Sequence, residues 1–140
     1  MKRTAKAFWQ GDLKIGHGTV TTQSHVLNET QYSFNTRFAD GIGTNPEELL
    51  AASHAGCFTM SIAYALSQQS LQPGDLNTTA SVSLDMATGS INLIELVLSA
   101  TVIEGLSPEA FQEIALAAKK NCVISKALAG VEIELVVNYQ

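Results

Sequence analysis

Apolar residues recur at three- and four-residue spacing from Pro46 to about Gln68, with Leu50, Cys57, Phe58 and Ala65 on the stripe. That period predicts one long helix. Its start is written in Asn45-Pro46-Glu47-Glu48. Asn45 is a good cap, and Pro46 suits the first turn because its missing N–H would be unpaired there anyway. Glu48 falls at the third helical position, where a carboxylate reaches back to the cap. Glu47 is left without a local duty. Ala51, Ala52, Ala55 and Gly56 keep the helix thin enough for another backbone to approach. Gly56 costs roughly 1 kcal/mol against Ala in a helix interior, so a packing reason is expected for it.

Before this helix the pattern is weaker. Lys6–Gln10, Gly18–Thr22 and Gln31–Phe38 predict three short strands of an antiparallel sheet. Gly11-Asp12 reads as a turn, Ser24–Glu29 as a loop, and Asp40-Gly41-Ile42-Gly43 as the link into the helix. Gln72-Pro73-Gly74-Asp75 then breaks the helical period. Thr78–Met86 alternates: Ala80, Val82, Leu84 and Met86 lie on one face, Thr79, Ser81, Ser83 and Asp85 on the other. After a turn at Ala87-Thr88-Gly89-Ser90, Ile91–Ile103 predicts a longer strand. Ser107 caps a second helix, with Pro108 first and Phe111, Ile114, Ala115 and Ala118 as its stripe. Asn121 ends it, and Val123–Leu128 predicts a short helix. From Gly130 a last strand turns Val131, Ile133, Leu135, Val137 and Tyr139 inward and Glu132 and Glu134 outward. This order reads as α+β, one domain over residues 1–140, with helices covering one face of the sheets.

Composition adds a partner to this picture. Hydrophobic residues make up 46% and charged residues only 15%, so part of the surface is expected to lie under another subunit. A net charge of -5 argues against nucleic acid and anionic membranes. No apolar run of signal length follows the basic N-terminus, and no apolar stretch approaches 18 residues. We therefore expect no transmembrane helix and a cytoplasmic protein. In that compartment a permanent disulfide between Cys57 and Cys122 is disfavoured, while a reversible catalytic one remains open. The pair is far apart in sequence and gives no Cys-x-x-Cys signal.

Cys57 on an apolar helix face is either packing or a nucleophile. Its mid-helix position lacks the partial positive charge of a helix N-terminus that activates many thiols. A nucleophile there needs a cation brought to it. Arg37, set between two phenylalanines in a chain with eight basic side chains, is the best candidate, with Glu47 or Asp40 as its partner. Lys119 and Lys120 stand just before Cys122 and are either activating or merely solvated at a helix end. His54 and Cys57, three residues apart, could begin a zinc site, but two ligands are too few.

Several segments together carry a resemblance: Trp9-Gln10-Gly11-Asp12, Phe34-Asn35-Thr36-Arg37-Phe38, Gly43-Thr44-Asn45-Pro46-Glu47-Glu48-Leu49, Ser53-His54-Ala55-Gly56-Cys57-Phe58 and Cys122-Val123-Ile124-Ser125. In order over nearly the whole chain, they resemble the osmotically inducible protein C (OsmC) family of thiol peroxidases. The Asn-Thr-Arg-Phe segment looks more like that branch than the organic hydroperoxide resistance branch. The resemblance implies an intertwined homodimer with two sites at the subunit interface. It implies a peroxidase that reduces organic hydroperoxides in preference to hydrogen peroxide. Cys57 matches the peroxidatic cysteine, Cys122 the resolving one, and Arg37 and Glu47 the pair that prepares the thiolate. No metal, flavin or haem is implied. An external dithiol, either a lipoylated protein or a small thiol, must reduce the disulfide. The chain departs from the family's Gly-Cys-Pro at Asn121-Cys122-Val123.

Ten residues separate Glu47 from Cys57, about 15 Å along a helix axis, so each site is expected to draw on two chains. Two other readings compete. One is a binding module with Cys57 in its core and an apolar ligand in a dimer groove. The other is a zinc protein.

Overall fold

Trp9 and Tyr32 close over a glycine at the centre of the first sheet. In the computed structural model, which describes residues 1–140, strands β1 (Ala5–Gln10), β2 (His17–Thr22) and β3 (Thr30–Tyr32) pair antiparallel in that order. Gly18 lies opposite both Trp9 and Tyr32, whose ring centroids are 5.4 Å apart. A Cβ on Gly18 would lie 2.5 Å from Tyr32 Cε1 and 2.8 Å from Trp9 Cε3, so a side chain would push the rings apart.

The strand expected over Gln31–Phe38 stops at Tyr32. Ser33 and Thr36 form a capping box instead. The Thr36 N–H donates to Ser33 Oγ (3.2 Å) and the Ser33 N–H to Thr36 Oγ1 (2.8 Å). Two otherwise unpaired donors are satisfied at once, which starts helix α1 (Phe34–Phe38) despite the strand propensity of its aromatics.

The chain divides into two compact units, Met1–Leu49 and Leu50–Gln140. Helix α2 (Pro46–Ser67) starts as expected, with the Glu48 N–H donating to Asn45 Oδ1 at 2.8 Å. The Glu48 carboxylate does not return to the cap. It accepts the Thr44 hydroxyl at 2.8 Å. Within the second unit Phe58, Ile62 and Leu66, four residues apart, are fully buried. Each contributes roughly 1.5–3 kcal/mol.

The rest of α2 bears on two expectations. At 22 residues it is long and apolar enough to cross a membrane by length and composition alone, with a mean hydropathy of 1.4 over its most apolar 18-residue window. Its buried stripe is that of a core helix, yet only 22% of the apolar window is buried within the chain. Gly56 has no neighbour within 4 Å of where a Cβ would sit, so nothing in this chain packs against it.

The second sheet holds β4 (Leu76–Asp85), β5 (Ser90–Ala100) and β6 (Glu132–Tyr139) in that order. β4 and β5 form an antiparallel hairpin with an irregularity between Ser83 and Leu84. Met86, expected on the apolar face of the strand, lies in the turn and is exposed. β6 pairs parallel with β5, so this sheet is not wholly antiparallel. Parallel partners need a long crossover, here helices α3 (Pro108–Asn121) and α4 (Val123–Ala127). Ile94, Leu96 and Leu98 of β5 join Phe111, Ile114, Ala115 and Ala118 of α3 in one core. Ile133, Leu135, Val137 and Tyr139 of β6 pack against it. β5 ends at Ala100, before the expected Ile103. The Ile103 N–H donates to the Tyr139 hydroxyl (2.7 Å), and the Tyr139 ring stacks on Phe111 at 4.2 Å.

Candidate active site

In the first unit the structure pairs Arg37 with Glu47. Arg37 lies in the last turn of α1, where a cation is favoured, and Glu47 sits in the first turn of α2, where an anion is. The Asn45 side-chain amide donates to the Thr36 carbonyl (2.9 Å) and fixes the two helix ends to each other. Arg37 Nε lies 3.0 and 3.2 Å from the two Glu47 carboxylate oxygens, and Nη2 2.6 Å from Oε1. This two-point contact matches the planar fork to the carboxylate and fixes its orientation. The Glu47 hydrogen bonds, with the attraction of its charge, hold Arg37 above the ordinary arginine value against the opposing effect of burial. The Glu47 side chain is 13% exposed and that of Arg37 40%. The guanidinium is thus anchored on one side and open on the other. An apolar cavity of about 300 Å³ adjoins it, lined by Trp9, Leu13, Tyr32, Phe34, Phe38 and Pro46 among others.

In the second unit the structure brings the two cysteines together. Cys57 is half-buried on α2 and Cys122 is fully buried at the junction of α3 and α4. Both are free thiols, and their sulfurs are 3.1 Å apart across 65 residues of sequence. Either thiol can donate in that contact. Closing it to a disulfide of about 2.05 Å takes about 1 Å of movement. Burial pushes the Cys122 thiol up. The Ser125 N–H, the Cys57 thiol, the Ser125 hydroxyl and the Ile124 N–H together outweigh burial and hold it below the ordinary thiol value. The two lysines do not supply this effect: the Lys119 ammonium donates to the Ile133 carbonyl, and Lys120 is exposed.

Sequence reasoning missed a second pair behind the cysteines. His54 Nε2 lies 2.8 Å from Ser125 Oγ, with both residues buried. His54 Nδ1 is buried with no partner, and burial lowers the histidine below its ordinary value. The available signal was a matched offset. His54 precedes Cys57 by three residues and Ser125 follows Cys122 by three, placing each beside a cysteine on its own helix. No group of three or more His, Cys, Asp or Glu side chains is placed to hold a metal ion, so His54 is tied to Ser125 and not to a ligand set.

The family model described as OsmC-like protein matches residues 39–136. Peroxiredoxin OsmC of Escherichia coli (strain K12) is 40% identical over 139 residues, covering 99% of this chain and 95% of that one. Organic hydroperoxide resistance protein OhrB of Bacillus subtilis (strain 168) is 30% identical over 135 residues, covering 94% and 95%. The crystal structure of an organic hydroperoxide resistance protein from Elizabethkingia anophelis superposes with a TM-score of 0.73 at 26% identity, covering 100% of this chain and 99% of that one. The higher identity to Peroxiredoxin OsmC agrees with the branch read from Asn35-Thr36-Arg37-Phe38. Matched over most of its length by the family model and over nearly all of it by these relatives, the chain belongs to the OsmC-like protein family.

Proposed function

We propose that this protein is a cysteine-based peroxidase that reduces organic hydroperoxides, and hydrogen peroxide less well, in the cytoplasm. The observation that carries the reading is the 3.1 Å approach of two free thiols from distant parts of the chain. Cys57 is the partly accessible member and takes the peroxide; Cys122, fully buried, resolves it. The Cys57 thiolate attacks one peroxide oxygen, the O–O bond breaks, and the alcohol leaves after taking a proton. Cys57 is left as a sulfenic acid, which condenses with Cys122 to a disulfide and water before further oxidation.

Arg37, held in plane by Glu47, supplies the positive charge that favours the thiolate and the departing oxygen. The apolar cavity beside Arg37 supports a preference for hydroperoxides with an apolar body, at roughly 0.8 kcal/mol per buried CH₂. An external dithiol, a small thiol or a lipoylated protein, returns the disulfide to thiols. The role is defence against oxidative and osmotic stress. The active form is a homodimer. The uncovered apolar surface of α2 and the open space around Gly56 support it, as does the uninterrupted helix between Glu47 and Cys57.

The test is thiol counting before and after one equivalent of cumene hydroperoxide. Wild type should lose both thiols to one intramolecular disulfide. Cys122→Ser should consume about one equivalent and stall as a sulfenic acid, and Cys57→Ser should consume none. Unreactive thiols in the wild type would end the peroxidase reading. Turnover by Cys57→Ser but not by Cys122→Ser would reverse the two roles.

A further inference from the structure

We propose that His54 and Ser125 form a buried hydrogen-bond relay that positions Cys122 as the nucleophile of the disulfide-forming step, a role that rests on the peroxidase reading of the cysteine pair. Cys122 is the residue that precedes α4, and Ser125 is the third residue of that helix. A side chain at the third position points back toward the cap residue, as in a capping box. The Ser125 hydroxyl and the Ser125 and Ile124 N–H groups favour a thiolate on Cys122, although none forms a regular cap hydrogen bond with it. On its other side Ser125 Oγ meets His54 Nε2 at 2.8 Å.

The orphan nitrogen of His54 fixes the direction of this relay. Nδ1 is buried without a partner. A buried N–H with no acceptor is rarer than a buried lone pair with no donor. The proton therefore belongs on Nε2, which donates to Ser125 Oγ. That leaves the hydroxyl proton of Ser125 free to point at the Cys122 sulfur. Burial keeps the ring neutral, so it stays in this donating form. The other charged groups nearby do not compete: Lys119 is tied to the Ile133 carbonyl, and Lys120 and Lys126 are exposed.

In the step itself the Cys122 thiolate attacks the Cys57 sulfenic sulfur. An S–S bond forms, the S–O bond breaks, and the departing hydroxide takes up the proton that Cys122 has released, giving water. Ser125 donates a hydrogen bond throughout and transfers no proton. An anchor that merely pinned α4 to α2 would not need this donor direction.

Two measurements test the relay. In a Cys57→Ser background, ultraviolet thiolate absorbance titrates Cys122 alone and does not require reagent access. Ser125→Ala and His54→Leu should each move the midpoint upward by about one pH unit, tenfold in thiolate, while His54→Gln, which keeps a donor at the Nε2 position, should restore it. In the two-cysteine protein, the Cys57 sulfenic acid formed by one equivalent of hydroperoxide should last at least tenfold longer in Ser125→Ala and His54→Leu than in wild type or His54→Gln. Superimposed titrations, equal sulfenic acid lifetimes, or a His54→Gln variant as impaired as His54→Leu would each overturn the relay. If even Cys122→Ser forms no sulfenic acid, the peroxidase reading falls, and the titrations still decide whether the relay exists.

Discussion

Oxidation should stabilise this protein by an amount that its geometry sets. A Cys57–Cys122 bond closes a loop of 65 residues. Loss of unfolded-chain entropy on closing such a loop corresponds to about 4.3 kcal/mol at 25 °C. Native-state strain subtracts from that figure. Here it is small, because the sulfurs already stand 3.1 Å apart and need about 1 Å of movement. A chain of 140 residues unfolds with an entropy of about 0.3 kcal/mol/K. The expected rise in Tm is therefore about 15 °C, and about 7 °C if strain removes half of the gain. The assay is a thermal melt of protein treated with one equivalent of hydroperoxide against the same protein kept reduced. Mass spectrometry verifies the intramolecular bond, and Cys122→Ser serves as the control that shows no rise. An oxidised sample with the bond verified that melts no higher than the reduced one would refute the reasoning. The helices would then have to be pulled out of place to make the bond.

Arg37→Lys and Glu47→Gln should each lower kcat/KM for cumene hydroperoxide about 10- to 100-fold, the equivalent of the ~1.5–3 kcal/mol in a charge-assisted hydrogen bond. Retention of activity within about twofold in steady-state assays of both variants would remove the pair from the mechanism. Folded His54 sits below the ordinary value of 6.5, so the unfolded chain takes up a proton that the folded chain refuses. Stability should fall as pH drops below about 6.5 and level off beneath the folded value. Urea midpoints at pH 7.5 and 5.5 should therefore diverge more in wild type than in His54→Gln, and equal differences would exclude His54 as the source. Gly18→Ala should destabilise by about 1–3 kcal/mol as the rings separate, with a changed near-ultraviolet band from Trp9. An unaltered band and denaturation midpoint would contradict the crowding at that position.

The elements with strong local signals were legible. α3 runs from Pro108 to Asn121, with the expected cap at Ser107 and the expected four buried residues, because cap, proline and stripe all agree there. β6 alternates as read, since a half-buried strand advertises its period. Phe34–Phe38 carries the strand propensity of its aromatics, and the Ser33-x-x-Thr36 capping box overrides it. The parallel pairing of β6 was hidden because partner choice is set by the crossover and not by the strand's own residues. Of the candidate site, Arg37, Glu47, Cys57 and Cys122 are legible in the sequence, and the structure pairs Arg37 with Glu47 and Cys57 with Cys122. For Arg37 the residues themselves leave Glu47 and Asp40 open as partners, and the resemblance singles out Glu47. The cysteine contact came only from resemblance, since no spacing rule spans 65 residues. The role of His54 is not legible because its partner, Ser125, lies 71 residues away.

The parallel pairing of β5 with β6 also has a kinetic consequence. The β4–β5 hairpin has a short turn, and such hairpins form in roughly 1–10 μs. β6 can join only after the 131 − 100 = 31 residues between Ala100 and Glu132 have folded back, a longer and slower closure. Cys122 travels inside that crossover. The two thiols therefore meet only once that crossover has folded back, later than the hairpin. During refolding the contact between them serves as a late clock: a half-folded chain that meets an oxidant has its cysteines apart, and only the completed fold is ready to cycle.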